Sequence, residues 1–196
     1  MRKLALLAAA VAVVAALGGY FLAGLMHPAA SVHTPDLAAS VNPESLVGEQ
    51  RPDFVLRDTR GRQVTADEFS GRVLLVNFWA SWCKPCVEEM PMISSLYEQL
   101  AGSGFSVVGI ALDQPSSAAA FADELGVSYP VLVGETDTVM TGRRYGNRAG
   151  MLPYTVLVGA DGVVRWTRLG AVSREDLERR VRALLPAAAS GDRPQS

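Results

Sequence analysis

The sequence predicts an α/β domain in which helices flank a mixed sheet. Two continuous apolar runs, Val73–Ala80 and Phe105–Leu112, are typical of strands that are buried on both faces. A helical pattern from about Cys83 to Leu100 joins the two runs. Tyr154–Val158 and Val163–Leu169 flank an Ala-Asp-Gly turn, which indicates a hairpin. A strand–helix–strand unit followed by a hairpin and a final helix is a layered α/β arrangement.

Shorter signals define the start of the domain and the end of the long helix. Phe54–Arg57 and Gln63–Thr65 flank an Asp-Thr-Arg-Gly turn, which predicts an N-terminal β-hairpin. Within the long helix, Pro91 predicts a kink, and Gly102 predicts the end. The apolar residues that form its predicted core stripe are Ile93, Leu96 and Leu100.

The sequence of the second half of the domain predicts two short helices on either side of a short strand. The helix Ser116–Leu125 ends before Gly126, Val131–Val133 is extended, and Thr136–Arg144 is helical.

The last helix is bounded by capping signals. It is predicted to begin at Ser173, with Asp176 as its capping-box partner, and to stop at Pro186. The residues of its predicted apolar face are Leu177, Val181, Leu184 and Leu185.

The N-terminus predicts a membrane anchor. After Arg2 and Lys3, the uncharged apolar run Leu4–Met26 has 23 residues and would span ~34 Å as a helix, enough to cross a hydrocarbon core of ~30 Å. Because no Lys or Arg follows before Arg51, the positive-inside rule leaves the N-terminus in the cytoplasm and exports the rest of the chain. Cleavage near Ala16-Leu17-Gly18 is the open alternative.

Composition divides the chain into four predicted parts. Residues 1–26 are the single-pass anchor or uncleaved signal, and the proline-containing stretch 27–50 is a flexible linker. Residues 51–186 have the size of one ordinary domain. Residues 187–196, with the sequence AAASGDRPQS, are a disordered tail.

Charge and residue counts exclude several classes of function. A formal net charge of −2 argues against nucleic acid as a partner, because phosphate binding needs a basic surface. The two histidines, His27 and His33, precede residue 50, so Ser-His-Asp and Cys-His catalysis are excluded from the main domain. The chain has only two cysteines, which excludes a four-cysteine zinc site and a disulfide-stapled miniprotein.

The chemical centre is predicted at Cys83-Lys84-Pro85-Cys86, where the first buried strand gives way to a helix. A thiol at a helix N-terminus faces unpaired backbone N–H groups and the positive end of the helix dipole, and both lower its pKa. The spacing lets the two sulfurs form a disulfide within one helical turn. We therefore predict a redox-active dithiol, with Cys83 as the exposed attacking thiol and Cys86 as the buried resolving thiol.

Other uses of the cysteine pair are less consistent with the sequence. A structural disulfide that closes so short a loop restrains the unfolded chain little. A zinc site would need two more ligands, and the main domain has no further Cys or His. Haem attachment would need a histidine after the second cysteine, where Val87 stands. No metal and no cofactor is therefore predicted, and the redox group is the Cys83–Cys86 disulfide itself.

Side chains next to the pair are candidates for tuning it. A cation at Lys84 would favour a thiolate, although a solvated loop charge is the alternative. Pro85 suits the first turn of a helix. Glu89 returns to the helix face of the second cysteine and is either a proton-exchanging carboxylate or an ordinary surface residue. Trp82, next to the first cysteine, forms either an apolar rim that meets a partner or part of the core.

The stretch Phe54–Pro91, with its WASWC-x-P-C motif followed by E-x-P, resembles a known family. It is similar to the opening of the membrane-tethered thioredoxin-like thiol:disulfide oxidoreductases of the TlpA, ResA and CcmG/DsbE group. The resemblance covers about residues 50–185. It implies a thioredoxin fold with an N-terminal hairpin extension and a central insertion near Gly126–Gly150. It also implies an extracytoplasmic, membrane-anchored reductant that often serves cytochrome c or oxidase assembly.

The same resemblance implies roles for individual residues and for partners. Cys83 matches the nucleophile, Cys86 the resolving thiol and Glu89 the active-site glutamate of the family. Pro153 matches the cis-proline that faces the dithiol, and Leu152 would then offer its backbone to a substrate chain. The implied partners are disulfide-bearing exported proteins, such as apocytochrome c, and a membrane thiol-reductant donor.

The direction of electron flow stays open between reductase and thiol oxidase. Known dithiol proteins span ~150 mV, which the residues between the cysteines do not resolve; Glu89 and the absence of a histidine there favour the reductant. A non-catalytic assembly scaffold is a further alternative. A peroxiredoxin would need Pro and Thr or Ser where Val76 and Ala80 stand, and a copper chaperone would need wider cysteine spacing and a downstream histidine.

Overall fold

The fold is taken from a computed structural model that describes residues 46–186. The predicted anchor, the linker up to residue 45 and the tail 187–196 lie outside the described residues. Within residues 46–186, none of the helices has both the length and the apolar character needed to cross a bilayer.

Seven described strands form one mixed sheet in the order β2-β1-β5-β4-β3-β6-β7. In chain order, the strands are β1 (Val55–Asp58), β2 (Gln63–Thr65), β3 (Val73–Trp79), β4 (Phe105–Ala111), β5 (Val131–Val133), β6 (Tyr154–Val158) and β7 (Val164–Leu169). Strands β3, β4 and β5 run parallel, and the remaining neighbours pair antiparallel. The predicted α/β class and both hairpins are therefore confirmed.

Four α-helices cover the sheet. They are α1 (Lys84–Leu100), α2 (Pro115–Glu124), α3 (Thr136–Arg144) and α4 (Arg174–Leu184). The helix α1 ends at Leu100, as predicted, and a separate 3-10 turn at Ala101–Ser103 carries the chain past Gly102. Gly104, with φ of +92°, adopts the left-handed conformation that ends this region. At α4, the Ser173 side chain accepts a hydrogen bond from the Asp176 N–H, as predicted.

The period of the central strand β3 creates two apolar cores. Successive side chains point to opposite faces, so Val73 and Leu75 belong to one core, and Leu74 and Val76 belong to the other. The first core also contains the buried face of α1, α2 and α4, which comprises Met90, Ile93, Leu96, Ala118, Leu177 and Val181. Because residue 77 shares the face of residues 73 and 75, its side chain points toward α1.

The last residues of the predicted linker are ordered instead of flexible. Gln50 forms a β-bridge with Val163, and the Gly48 N–H donates to the Val164 carbonyl at 2.8 Å. The Arg51 N–H donates to the Gly162 carbonyl at 2.8 Å. The chain therefore enters the domain along the outer edge of β7.

The region Gly126–Gly150 supplies the strand β5 and the helix α3. Strand β5 lies between β4 and β1, so it joins the N-terminal hairpin to the parallel part of the sheet. This region and the hairpin together extend the sheet beyond β4.

Replacement of Gly109 by alanine tests the close packing beneath α1. A Cβ at this position would lie 2.9 Å from the Trp79 Nε1 and 3.0 Å from the Tyr129 Cε2. We expect Gly109→Ala to lower the free energy of unfolding by about 1–3 kcal/mol, as overpacking does. The measurement is urea denaturation. The control is Gly102→Ala, where a Cβ would meet nothing within 4 Å; an equal loss in both variants would contradict the packing.

Candidate active site

The cysteine pair lies where β3 turns into α1. Cys83 is the N-cap residue of α1, and its carbonyl accepts from the N–H groups of Cys86 at 3.0 Å and Val87 at 3.1 Å. Pro85 lies in the first helical turn, where its missing N–H costs no hydrogen bond. The two sulfurs form a disulfide with an S–S distance of 2.01 Å and a Cα–Cα distance of 5.3 Å.

Cys86 is more buried than Cys83, as predicted, but the difference in exposure between the two cysteines is smaller than expected. Cys86 is 0% exposed and Cys83 is 6% exposed, so the prediction of an exposed Cys83 is wrong for this oxidised form. The reason is packing: Cys83 joins the same apolar core as Trp79 and Ala80. Cys83 is still the more accessible of the two, which is consistent with its role as the attacking thiol.

The turn before Cys83 is held by a carboxylate that sequence reasoning missed. Asp113 Oδ2 accepts from the Ser81 N–H at 2.6 Å, and Asp113 Oδ1 accepts from the Ser81 hydroxyl at 3.0 Å. Asp113 follows β4, which runs parallel to β3. The carboxyl ends of the two strands therefore meet at one edge, and this placement was the available signal.

Glu89 is a buried carboxyl group under the start of α1. It is 4% exposed, and it accepts from the Asn77 Nδ2 at 2.9 Å and from the Val172 N–H at 2.9 Å. Burial raises the pKa of Glu89, and the hydrogen bonds from Val172 and Asn77 oppose that rise. The surface interpretation of Glu89 is therefore wrong, and its carboxyl is placed to hold a proton.

Asn77 and Thr155 complete this polar cluster, and neither was predicted. The Asn77 Nδ2 also donates to the Thr155 hydroxyl at 3.1 Å, and both residues are fully buried. Asn77 interrupts the apolar run of β3, and a polar residue inside such a run was the available signal. The amide connects α1 to β6 beneath the disulfide.

The charge at Lys84 is solvated. Its side chain is 88% exposed, and its ammonium nitrogen lies 3.8 Å from a carboxylate oxygen of Glu88, which is also exposed. This contact matches the solvated-charge alternative; a tuning role for Lys84 stays a prediction.

Of the three predicted substrate-contact residues, Trp82 is exposed, Leu152 is half-buried and Pro153 is buried. Trp82 is 69% exposed, whereas Trp79 is fully buried, so Trp82 offers the apolar rim. The Leu152–Pro153 peptide bond is cis, as the resemblance implies. Pro153 directly precedes β6, whose first residue Tyr154 pairs with Phe78 near the carboxyl end of β3. This pairing brings the proline loop to the end of the sheet that carries the cysteines.

Asn147 fixes that loop and was also missed. Its Nδ2 donates to the Met151 carbonyl at 2.8 Å, and its Oδ1 accepts from the Met151 N–H at 3.0 Å. These two bonds pin the residue that precedes Leu152. Over the described part of the chain, no group of three or more His, Cys, Asp or Glu residues is placed to hold a metal ion.

Comparison with known proteins identifies the family. Residues 47–167, more than half of the chain, match the AhpC/TSA family. The chain belongs to the AhpC/TSA family. Within this family, the positions seven and three residues before Cys83 are Val76 and Ala80, so the Pro and Thr or Ser of a peroxiredoxin are missing here.

Similar proteins in this family are thiol-disulfide oxidoreductases. The chain is 32% identical to thiol-disulfide oxidoreductase ResA of Geobacillus kaustophilus over 71% of this chain and 79% of the relative. It is 29% identical to ResA of Halalkalibacterium halodurans over 72% of this chain and 78% of the relative.

A solved structure agrees with this relationship. A thiol:disulfide interchange protein of the thioredoxin family from Chlorobium tepidum matches with a TM-score of 0.62 and 27% identity, over 69% of this chain and 94% of the other. The chain is therefore a thioredoxin-like thiol:disulfide oxidoreductase of the group that the sequence resembles.

The buried Glu89 makes the stability of the oxidised protein depend on pH. Above pH 4.5, the usual value, the folded carboxyl keeps a proton that the unfolded chain releases. The free energy of unfolding therefore falls as pH rises toward the raised pKa, by about 1.4 kcal/mol per pH unit of the shift. In Glu89→Gln this decline should be absent, as measured by urea denaturation between pH 4 and 8. Glu88→Gln, which removes an exposed carboxylate from the same turn, is the control. If both variants keep the wild-type decline, Glu89 is not its source.

Proposed function

We propose that the protein is a membrane-tethered, extracytoplasmic reductase of disulfides in exported partner proteins. The observation that carries this proposal is the Cys83–Cys86 pair at the N-terminus of α1, with the buried carboxyl of Glu89 less than one helical turn after Cys86 on the same helix. The pair supplies two electrons, and the carboxyl supplies a site for one proton.

The reaction proceeds in two exchanges. The Cys83 thiolate attacks one sulfur of a partner disulfide, the partner S–S bond breaks, and a mixed disulfide forms while the other partner sulfur leaves and takes up a proton. The Cys86 thiol then gives its proton to the ionised Glu89 and attacks the Cys83 sulfur. The mixed disulfide breaks, the second partner sulfur leaves as a thiolate and takes up a proton from solvent to complete the dithiol, and the Cys83–Cys86 disulfide remains. The membrane thiol-reductant donor then returns two electrons to this disulfide.

The charges around the pair support the reducing direction. Strong oxidants stabilise their reduced thiolate form. Here the Lys84 ammonium is directed to solvent, whereas the carboxyl of Glu89, three residues after Cys86, is buried. An ionised carboxylate disfavours a neighbouring thiolate. Less stabilisation of the reduced form makes the dithiol a better electron donor.

The exposed surface beside Cys83 suits an extended polypeptide. Trp82 supplies an apolar contact, and the Leu152 backbone, next to the cis-Pro153 bond, is available for strand-like pairing with a substrate segment. The partner class that we propose is an exported protein whose cysteines must be kept reduced, such as apocytochrome c. The location is supported by the charge asymmetry around Leu4–Met26 and by the resemblance to the TlpA, ResA and CcmG/DsbE group.

Substitution of each cysteine should separate attack from resolution. In cells that express the full chain, Cys86→Ser is expected to accumulate mixed disulfides with partner proteins, because Cys83 attacks but nothing resolves the adduct. These adducts should lie in the membrane fraction. The partner thiol that is released in each adduct should react with a thiol reagent that does not cross the membrane. Non-reducing electrophoresis and mass spectrometry identify them. Cys83→Ser is the matched control and should trap nothing; equal trapping by both variants would contradict the assignment of Cys83 as attacker.

The equilibrium potential decides the direction. We expect the Cys83–Cys86 couple to lie nearer the ~−270 mV of thioredoxin than the ~−120 mV of strong oxidants. The measurement is equilibration of the purified full chain with glutathione buffers or, if the couple is too reducing for these, with dithiothreitol buffers. A value close to that of the strong oxidants would replace the reductase with a thiol oxidase.

A further inference from the structure

A row of positions crosses the sheet beneath α1. Thr155 pairs with Asn77, and Asn77 pairs with Gly109 on the next strand. Paired residues on neighbouring strands present their side chains to the same face. The Asn77 amide points to α1, because it donates to Glu89. The space that a side chain of residue 109 would occupy therefore lies beside the Asn77 side chain, under the same helix.

Two aromatic side chains fill the space above Gly109. The Trp79 Nε1 lies 2.9 Å and the Tyr129 Cε2 lies 3.0 Å from the point that a Cβ of residue 109 would occupy. Neighbouring strands are ~4.8 Å apart. The indole N–H and the Tyr129 ring therefore occupy the position next to the Asn77 side chain on the same face of the sheet.

Three polar atoms in this place have no hydrogen-bond partner among the described residues: Asn77 Oδ1, Trp79 Nε1 and the Tyr129 hydroxyl. All three residues are buried. Their chemistry is complementary, since an amide oxygen accepts, an indole N–H donates, and a phenol does both. Buried polar atoms are nearly always satisfied by protein or by ordered water. One water can accept from the Trp79 indole and donate to the Asn77 oxygen while it bonds to the Tyr129 hydroxyl.

We propose that one buried water bridges Asn77 Oδ1, Trp79 Nε1 and the Tyr129 hydroxyl, and that Tyr129 is through this water a positioning residue for Glu89. A hydrogen bond to Oδ1 keeps the Asn77 amide turned so that its Nδ2 faces the Glu89 carboxylate. It also polarises the amide, which strengthens the bond that Nδ2 donates. The ionised form of Glu89, which accepts the proton of Cys86, is stabilised in this way.

The groups around this water leave Tyr129 neutral. From α1, the ionisable side chains on this side are Glu89 and Tyr97, because Cys83 and Cys86 form the disulfide and do not titrate. Strands β3 and β4 contribute the uncharged Trp79, Asn77 and Gly109, and the segment before α4 contributes the Val172 N–H. Burial, and then the charge of Glu89, raise the pKa of Tyr129. The hydroxyl therefore keeps its proton at physiological pH and can donate it to a hydrogen bond.

The test removes one oxygen atom from the network. Tyr129→Phe keeps the ring that packs edge-on against Tyr97 and deletes only the hydroxyl. We expect the titration midpoint of Glu89 to rise by about half to one pH unit, as on loss of part of a hydrogen bond to a charged group. The measurement is carboxyl ¹³C NMR of the oxidised full chain in detergent, with the Glu89 signal assigned from Glu89→Gln. Tyr97→Phe, which deletes the hydroxyl of the ring in contact with Tyr129, is the matched control and should produce no such rise.

Two results would overturn the inference: an unchanged midpoint in Tyr129→Phe, or an equal rise in Tyr97→Phe, which would indicate a packing effect. A crystal structure should also show solvent density that contacts Trp79 Nε1, and its absence would contradict the bridge. The kinetic consequence rests on the proposed function: the pH profile of mixed-disulfide resolution should shift upward in Tyr129→Phe. If the wild type does not reduce partner disulfides, the proposed function fails, while the Glu89 titration still decides the role of Tyr129.

Discussion

In the function that we propose, the N-terminus of α1 and the buried carboxyl of Glu89 influence the same two sulfurs with opposite sign. The free N–H groups of the first helical turn favour a thiolate at Cys83, whereas a negative charge at Glu89 disfavours it. Both effects depend on fixed positions: Asp113 holds the turn before the helix, and Asn77 holds the carboxyl. The sheet positions the two side chains, so the redox chemistry depends on the register of β3 against β4 and β6.

The strands and helices were predictable because their signals are local. The apolar run Val73–Ala80 is long enough to exclude alternatives, and the observed strand ends one residue earlier, at Trp79. Cys83 and Cys86 were found from their spacing at a strand-to-helix junction. The helical repeat placed Glu89 on the face of Cys86 but left its role open, and the family resemblance indicated an active-site glutamate. The end of α1 at Leu100 was predicted, but the left-handed glycine that closes the following 3-10 turn is Gly104 and not Gly102. Helix ends of this kind depend on a few weak bonds rather than on a periodic pattern.

Strand pairing, and not closeness in sequence, brings two of the missed residues, Asp113 and Thr155, to the site, whereas Asn147 acts within its own loop. Asp113 accepts a hydrogen bond from Ser81 in the turn before Cys83, and Thr155 accepts one from Asn77. Asn147 donates to Met151 in the loop before Pro153. Tyr129 lies just before β5, and its ring packs in the space that is free because Gly109 has no Cβ. The burial of Cys83 was misjudged for the same reason, since accessibility depends on how the loops from other strands pack around the turn. None of these contacts leaves a periodic trace in the sequence.

The hydrogen bonds from Gly48 and Arg51 to the β7 side have a consequence for self-association. Strand β7 closes one end of the sheet order, and an uncovered edge strand offers unpaired backbone groups to any extended chain. The incoming segment occupies those groups around Gly162 and Val164. Copies of this protein that diffuse side by side are thereby denied one template for edge-to-edge aggregation, and the covering segment is the same stretch of chain that leads into the domain.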